Sequence, residues 1–98
     1  AIARIGPPRV VPRRLGAKEQ RELERLPARI AALAAEIEGL ERQLADPGLF
    51  ARDRAAFAAV AASLEDRRRA LATAEEQWLA LELMKEQIEG TAVPAASP

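Results

Sequence analysis

The sequence predicts an all-α protein: an antiparallel two-helix coiled-coil hairpin with a short, kinked N-terminal helical segment and disordered termini. Three observations predict it. Leu23, Leu26, Ile30, Leu33, Ile37, Leu40 and Leu44 fall at alternating steps of three and four, the spacing that lines one side of a coiled-coil helix with apolar residues. A second run through Phe57, Val60, Leu64, Arg67, Leu71, Ala74, Trp78, Leu81, Lys85 and Ile88 keeps the same steps. Between them stands Asp46-Pro47-Gly48, where Pro removes an amide donor and Gly accepts a left-handed turn. Two such stripes joined by a short break close most simply on each other. Composition agrees, because 23 Ala inflate the 49% hydrophobic fraction, and Ala favours helix while burying little area.

Each element follows in chain order. Residues 1–16 hold Pro7, Pro8, Pro12, Gly6 and Gly16 among four Arg, which defeats helix propagation and predicts a disordered basic linker. Residues 17–89 form the hairpin, with the first helix over about 18–45. Pro27 interrupts its stripe without ending it, and two readings compete. A short helix before Leu26 is kinked against a main helix that starts at Pro27, or one helix runs through with a lost hydrogen bond costing roughly 3 kcal/mol. The kink is the favoured reading. The tip occupies 46–52, where Leu49 and Phe50 fold back over Phe57 in a tight helical turn. The second helix covers about 53–89, N-capped by Asp53, and residues 90–98 form a disordered tail behind a Gly stop.

One alignment that satisfies both stripes sets Leu44 by Val60, Leu40 by Leu64, Leu33 by Leu71, Ile30 by Ala74, Leu26 by Trp78 and Leu23 by Leu81; a shift of one heptad is the alternative. Glu19 then meets Lys85 as an ion pair. Arg67 faces Ile37 and must turn its guanidinium outward while its stem covers the seam. Leu79, Leu83 and Met84 lie off the stripe and are expected to pack against the helical segment before Pro27.

No Cys, His or Tyr occurs, which removes thiol nucleophiles, imidazole bases, disulfides and Cys/His zinc sites. Ser63 and Ser97 have no activating base, so no catalytic residue is expected. The paired carboxylates Glu36/Glu38 and Glu75/Glu76 lack an enclosing pocket, so no metal ligands or cofactor are expected either. The uncharged run Ala55–Leu64 is far short of the ~20 residues of a membrane span. With neither an initiator Met nor a signal peptide, the chain reads as a monomeric segment of a longer cytoplasmic protein.

Net charge is zero, yet it is divided. Residues 1–29 carry eight cations (Arg4, Arg9, Arg13, Arg14, Lys18, Arg21, Arg25, Arg29) against three acids, giving +5, and the remainder carries seven against twelve, giving −5. Lys18, Arg21, Arg25 and Arg29 recur at helical spacing. With Arg9, Arg13 and Arg14 they are the candidate nucleic-acid contacts, able to neutralise phosphates of DNA or structured RNA. No aromatic residue interleaves them, so sequence-specific stacking is not expected. Glu22 and Glu24 can pair with Arg25 and Arg21 as ordinary surface charges. Arg67-Arg68-Arg69 is a second cationic cluster, expected to pair with acids such as Glu36 and Glu65.

Lys18-Glu19-Gln20-Arg21-Glu22-Leu23-Glu24 and Leu26-Pro27-Ala28-Arg29-Ile30 resemble the opening of the C-terminal domain of ABC-F ATPases, the Uup-like branch in particular. Asp46-Pro47-Gly48-Leu49-Phe50 is similar to that domain's hairpin signature, and Glu75-Glu76-Gln77-Trp78-Leu79-Ala80-Leu81-Glu82 to its closing stretch. The likeness runs from about Leu15 to Glu89. It departs at Gly16-Ala17, where the family usually has Ser or Thr, which leaves the cap of the first helix open. The resemblance implies a parent with two ATP-binding cassettes, using ATP and Mg and acting at ribosomes or on DNA, with this segment as a nucleic-acid-binding appendix. No G-x-x-x-x-G-K-[ST] phosphate loop occurs in the chain, so ATP hydrolysis would belong to the parent. The alternative is a protein-protein interaction module that docks on the parent's cassettes or on a ribosomal partner. Self-association through Leu79, Leu83 and Met84 is a third reading.

Overall fold

Residues 14–92 are described by a computed structural model, and three helices account for nearly all of them: α1 (Ala17–Leu44), α2 (Leu49–Arg52) and α3 (Arg54–Ala92). Expectations for residues 1–13 and 93–98, Arg9 and Arg13 among them, lie outside the described residues. The two long helices pack antiparallel, with α2 against α3 at the turn. Leu26, Leu33 and Ala74 are buried at mid-seam, and Ile30, Ala70, Leu71, Trp78 and Leu81 pack on them. Leu64 and Ile37 extend this core toward the tip. The cluster draws on both stripes.

Pro27 does not break α1, which runs continuously from Ala17 to Leu44. The expected division into a short helix and a main helix starting at Pro27 is therefore absent, and the seam explains why. Leu26 is the most deeply buried large side chain, 1% exposed, and Ile30 packs beside it. A buried Leu contributes about 1.5–3 kcal/mol, so these two side chains on the core side offset one missing hydrogen bond. Pro27 itself is exposed, at the edge of a hollow it lines with Ile30, Glu75, Trp78 and Leu79.

The entrance is also more ordered than the linker reading implied. Leu15 is buried and shares a hollow with Leu23 and Ile88. Gly16 takes the N-cap position at φ −70°, ψ 170°, and its carbonyl accepts the Gln20 amide at 3.0 Å. Glu19 forms no ion pair with Lys85. Its carboxylate is turned back toward Gly16, where a Cβ would lie 2.6 Å from Oε1, near the positive end of the helix dipole. At the other terminus Gly90 does not stop α3, which continues to Ala92. Buried Ile88 anchors that last stretch.

The turn is built from side-chain bonds rather than a left-handed residue. Gly48 has φ −88° and ψ −12°, and no described glycine has positive φ. The Gly48 amide donates to Asp46 Oδ1 at 2.9 Å, and Arg52 Nη2 donates to Asp46 Oδ2 at 2.9 Å. These two contacts, the amide first, hold the Asp46 carboxyl below its usual range. A Cβ on Gly48 would meet Arg52 Nη1 at 2.5 Å, so the absent side chain leaves room for that guanidinium. Phe50 packs edge-on against Phe57, centroids 5.2 Å apart and planes at 81°. Asp53 Oδ1 accepts the Ala56 amide at 2.9 Å, the N-cap bond expected for α3.

Candidate nucleic-acid interface

An α-helix turns 100° per residue, so Lys18, Arg21, Arg25 and Arg29 fall within less than a quarter turn on one flank of α1. From Lys18 to Arg29 is eleven residues, about 16 Å of axis at 1.5 Å each. The structure keeps all four exposed. Lys18 and Arg25 line a shallow groove between the helices with Glu19, Glu22, Gln77, Ala80 and Leu81. Arg29 lines the adjoining one with Asp66, Arg69, Ala70, Thr73, Ala74 and Gln77. Gln77 borders both, so the two form one continuous trough.

Charge pairing sorts these cations. Arg25 Nη2 donates to both carboxylate oxygens of Glu22 at 2.7 and 2.8 Å, as the sequence suggested, and this mutes its charge. Among the described residues Lys18, Arg21 and Arg29 have no carboxylate within bridging distance, and the expected Arg21–Glu24 pair does not form. Arg14 is exposed but lines a different hollow, with Leu15, Gln20, Leu23, Glu24, Lys85, Ile88 and Glu89. It does not join the stripe.

The arginine triplet behaves mainly as a structural network. Arg67 Nε meets Glu36 Oε1 at 2.7 Å and its Nη1 meets Asp66 Oδ2 at 2.7 Å, so its stem covers the seam while its head leaves it. Arg68 bridges to Glu41 at 2.8 Å, tying α3 to α1. Arg69 is held only loosely by Glu65 at 3.4 Å, and it stands across the trough from Arg29. Sequence reading grouped Arg69 with its chain neighbours; the signal that reassigns it is its place opposite Arg29 once the two helices are aligned. Thr73 and Gln77 add a hydroxyl and an amide beside it.

The trough offers Lys18, Arg29 and the weakly paired Arg69, with Glu19, Glu22 and Asp66 also on its walls, together with polar donors and no ring. The aromatic residues lie elsewhere, Phe50 and Phe57 at the tip and Trp78 at the seam. Such a surface suits phosphate neutralisation rather than base stacking. No cluster of three or more metal-ligating side chains exists among the described residues, and no described helix is long and apolar enough to cross a membrane.

Leu79 and Leu83 are 53% and 50% exposed, and Met84 is exposed as well. They do not pack on the start of α1 as expected. From Leu81 in the seam, two residues either way is a rotation of 200°, which takes Leu79 and Leu83 off the seam, Leu79 standing at the edge of a hollow with Pro27 and Ile30.

The family described as ABC transporter C-terminal domain matches residues 14–83. The chain is also similar to the ATP-binding protein Uup of Haemophilus influenzae, 38% identical over 79 residues, which cover 81% of this chain and 12% of that protein. The chain thus spans about an eighth of the length of that relative. No solved structure matches significantly.

Proposed function

Because the chain belongs to the ABC transporter C-terminal domain family, we propose that it is the non-catalytic nucleic-acid-binding appendix of a longer cytoplasmic ATP-binding protein. It holds DNA or structured RNA by the phosphate backbone. The observation that carries this reading is the trough, where Lys18 and Arg29 lack carboxylate partners on one flank of α1 and Arg69 reaches in from the other, with Arg21 exposed on the same flank beside them. Arg25 contributes once phosphate competes with Glu22. Arg9, Arg13 and Arg14 extend the positive charge at the entrance.

In this reading a duplex lies along the trough and exchanges its counterions for these side chains. Thr73 and Gln77 donate to phosphate oxygens, and no base edge is read. ATP and Mg belong to the cassettes of the parent, which would use the hairpin to anchor itself on its nucleic-acid target. The hairpin acts as a monomer.

Fluorescence anisotropy of a labelled duplex, titrated with the 98-residue chain at rising salt, tests the reading. Four phosphate contacts give a slope of log affinity on log salt of about −3.6, at −0.9 per phosphate. Replacing Lys18, Arg21 and Arg29 with Gln should flatten that slope by about three contacts' worth. Affinity indifferent to salt, or unchanged in the triple variant, refutes it. The exposure of Leu79 and Leu83 favours a second reading, docking on the parent's cassettes or on a ribosomal protein. Replacing both with Ser should abolish capture of the cassettes and leave duplex binding intact.

A further inference from the structure

The outer face of α3 carries a chemistry that neither the seam nor the trough uses. Leu79 and Leu83 are 53% and 50% exposed and stand one turn apart, about 40° from each other around the helix. Glu75, Glu76, Glu82 and Glu86 fall within about 60° of Leu79 on either side. These six side chains thus share about a third of the circumference over about 16 Å of axis. Glu75, Glu76 and Glu86 are exposed and Glu82 is half-buried. Among the described residues none of the four carboxylates has a cation within bridging distance. Lys85 is the one cation between them in the chain, but it is turned about 120° from Leu79 and lines the entrance hollow instead.

This stripe adjoins an apolar hollow lined by Pro27, Ile30, Trp78 and Leu79, with Glu75 at its edge. Leu79 belongs to both, so apolar surface runs from α1 across to the outside of α3. Gln77 and Ala80, which line the trough, lie about 160° and about 100° from Leu79, so stripe and trough are separate surfaces. Charge selects what can cover the stripe. Phosphates of a nucleic acid or of an anionic membrane meet four carboxylates and are repelled. A second copy of the chain, seated stripe to stripe, would set the carboxylates of both copies against one another with no cation between them. A cationic partner with an apolar face gains from the centre and the flanks alike.

We propose that the outer face of α3 from Glu75 to Glu86 docks a basic amphipathic helix of a partner protein. The helix lays its apolar side over Leu79 and Leu83 and into the hollow beside Trp78, and its Lys or Arg side chains meet Glu75, Glu76, Glu82 and Glu86. About three turns of such a helix match the length of the stripe. The inference rests on the docking reading and deepens it, since it states the chemistry of the partner. It is independent of the nucleic-acid reading, and a duplex in the trough and a basic helix on this face can be held at once.

The probe is a fluorescein-labelled peptide of two Leu-Lys-Lys-Leu-Leu-Lys-Leu repeats, titrated with the 98-residue chain and followed by anisotropy. Trp78 is the single tryptophan of the chain and the peptide has none, so a blue shift of its emission with unlabelled peptide places the contact beside the hollow. Leu79→Ser with Leu83→Ser should weaken binding roughly tenfold to a hundredfold, the worth of burying the exposed halves of two Leu side chains. Glu75→Gln, Glu76→Gln and Glu86→Gln together should weaken it about tenfold and flatten its dependence on salt. All five positions are exposed, so both variants should keep the circular dichroism of the unaltered chain. Equal affinity for the peptide with every Lys changed to Glu overturns the proposal, as does binding that leaves the Trp78 emission unmoved. If the Leu pair weakens binding and the Glu trio does not, a docking face remains and its basic partner is refuted. If the peptide behaves as expected while the Leu pair still captures the cassettes, the basic-helix site stands and only the cassettes are excluded as its occupant.

Discussion

Leu33→Asp is the sharpest test of the seam. Leu33 is 3% exposed and lies in the cluster with Leu26 and Ala74. Truncating such a Leu to Ala costs about 2–5 kcal/mol through lost transfer energy and the cavity left behind. Aspartate forfeits the same methyl groups and adds a carboxylate with no cation at mid-seam, a further penalty of several kcal/mol unless it takes up a proton. Residues 14–92 number 79, and at roughly 0.05–0.15 kcal/mol per residue their total stability is about 4–12 kcal/mol. The substitution therefore removes most or all of it. Thermal melts followed by far-ultraviolet circular dichroism should show a cooperative transition in the unaltered chain and little helix left in the variant. Leu79→Asp, at a site more than half exposed, should shift stability by less than about 0.5 kcal/mol. If Leu33→Asp melts cooperatively at the unaltered temperature, the helices are not paired as described.

Pro27→Ala restores an amide donor inside a continuous α1 and should stabilise the hairpin by about 1–3 kcal/mol in urea titrations; a loss of stability would mean the helix bends there after all. Asp53→Ala removes the bond to the Ala56 amide and should cost about 1 kcal/mol, read in the same titrations. An unchanged midpoint would deny the cap. Asp46 has its folded pKa below the ordinary 3.8, so its contribution to the tip is complete above the unfolded value and is lost as pH falls through the folded one. The Gly48 amide signal in NMR should move over that acidic window, and in Asp46→Asn it should not; a signal steady to the lowest pH would refute the turn.

The seam was legible because heptad spacing puts seven branched side chains on one side of the helix, and Leu26, Leu33 and Ala74 of the two stripes are buried. Asp53, Arg67 and the Phe50–Phe57 contact were readable too, each being settled within a few residues or by one facing position. Pro27 was misread because a local dihedral bias was weighed without the burial of Leu26, which only the folded pair reveals. Gly48 was misread in kind: its missing side chain makes space for Arg52 rather than permitting positive φ. Arg69 joins the trough only once α3 lies against α1, so no spacing along the chain could pair it with Arg29. The failed Glu19–Lys85 pair shows the limit of register arguments for exposed charges, since the helix terminus competes for Glu19.

Because α1 runs as one helix from Ala17 to Leu44, the hairpin is a lever. Twenty-eight residues make a rod of about 42 Å, and tilting its base by about 10° sweeps the far end through about 7 Å. Any small rocking delivered at the entrance would thus arrive at Phe50 and its neighbours as a stroke comparable to the step between successive nucleotides. Backbone stiffness at one proline would decide whether such motion is amplified or absorbed.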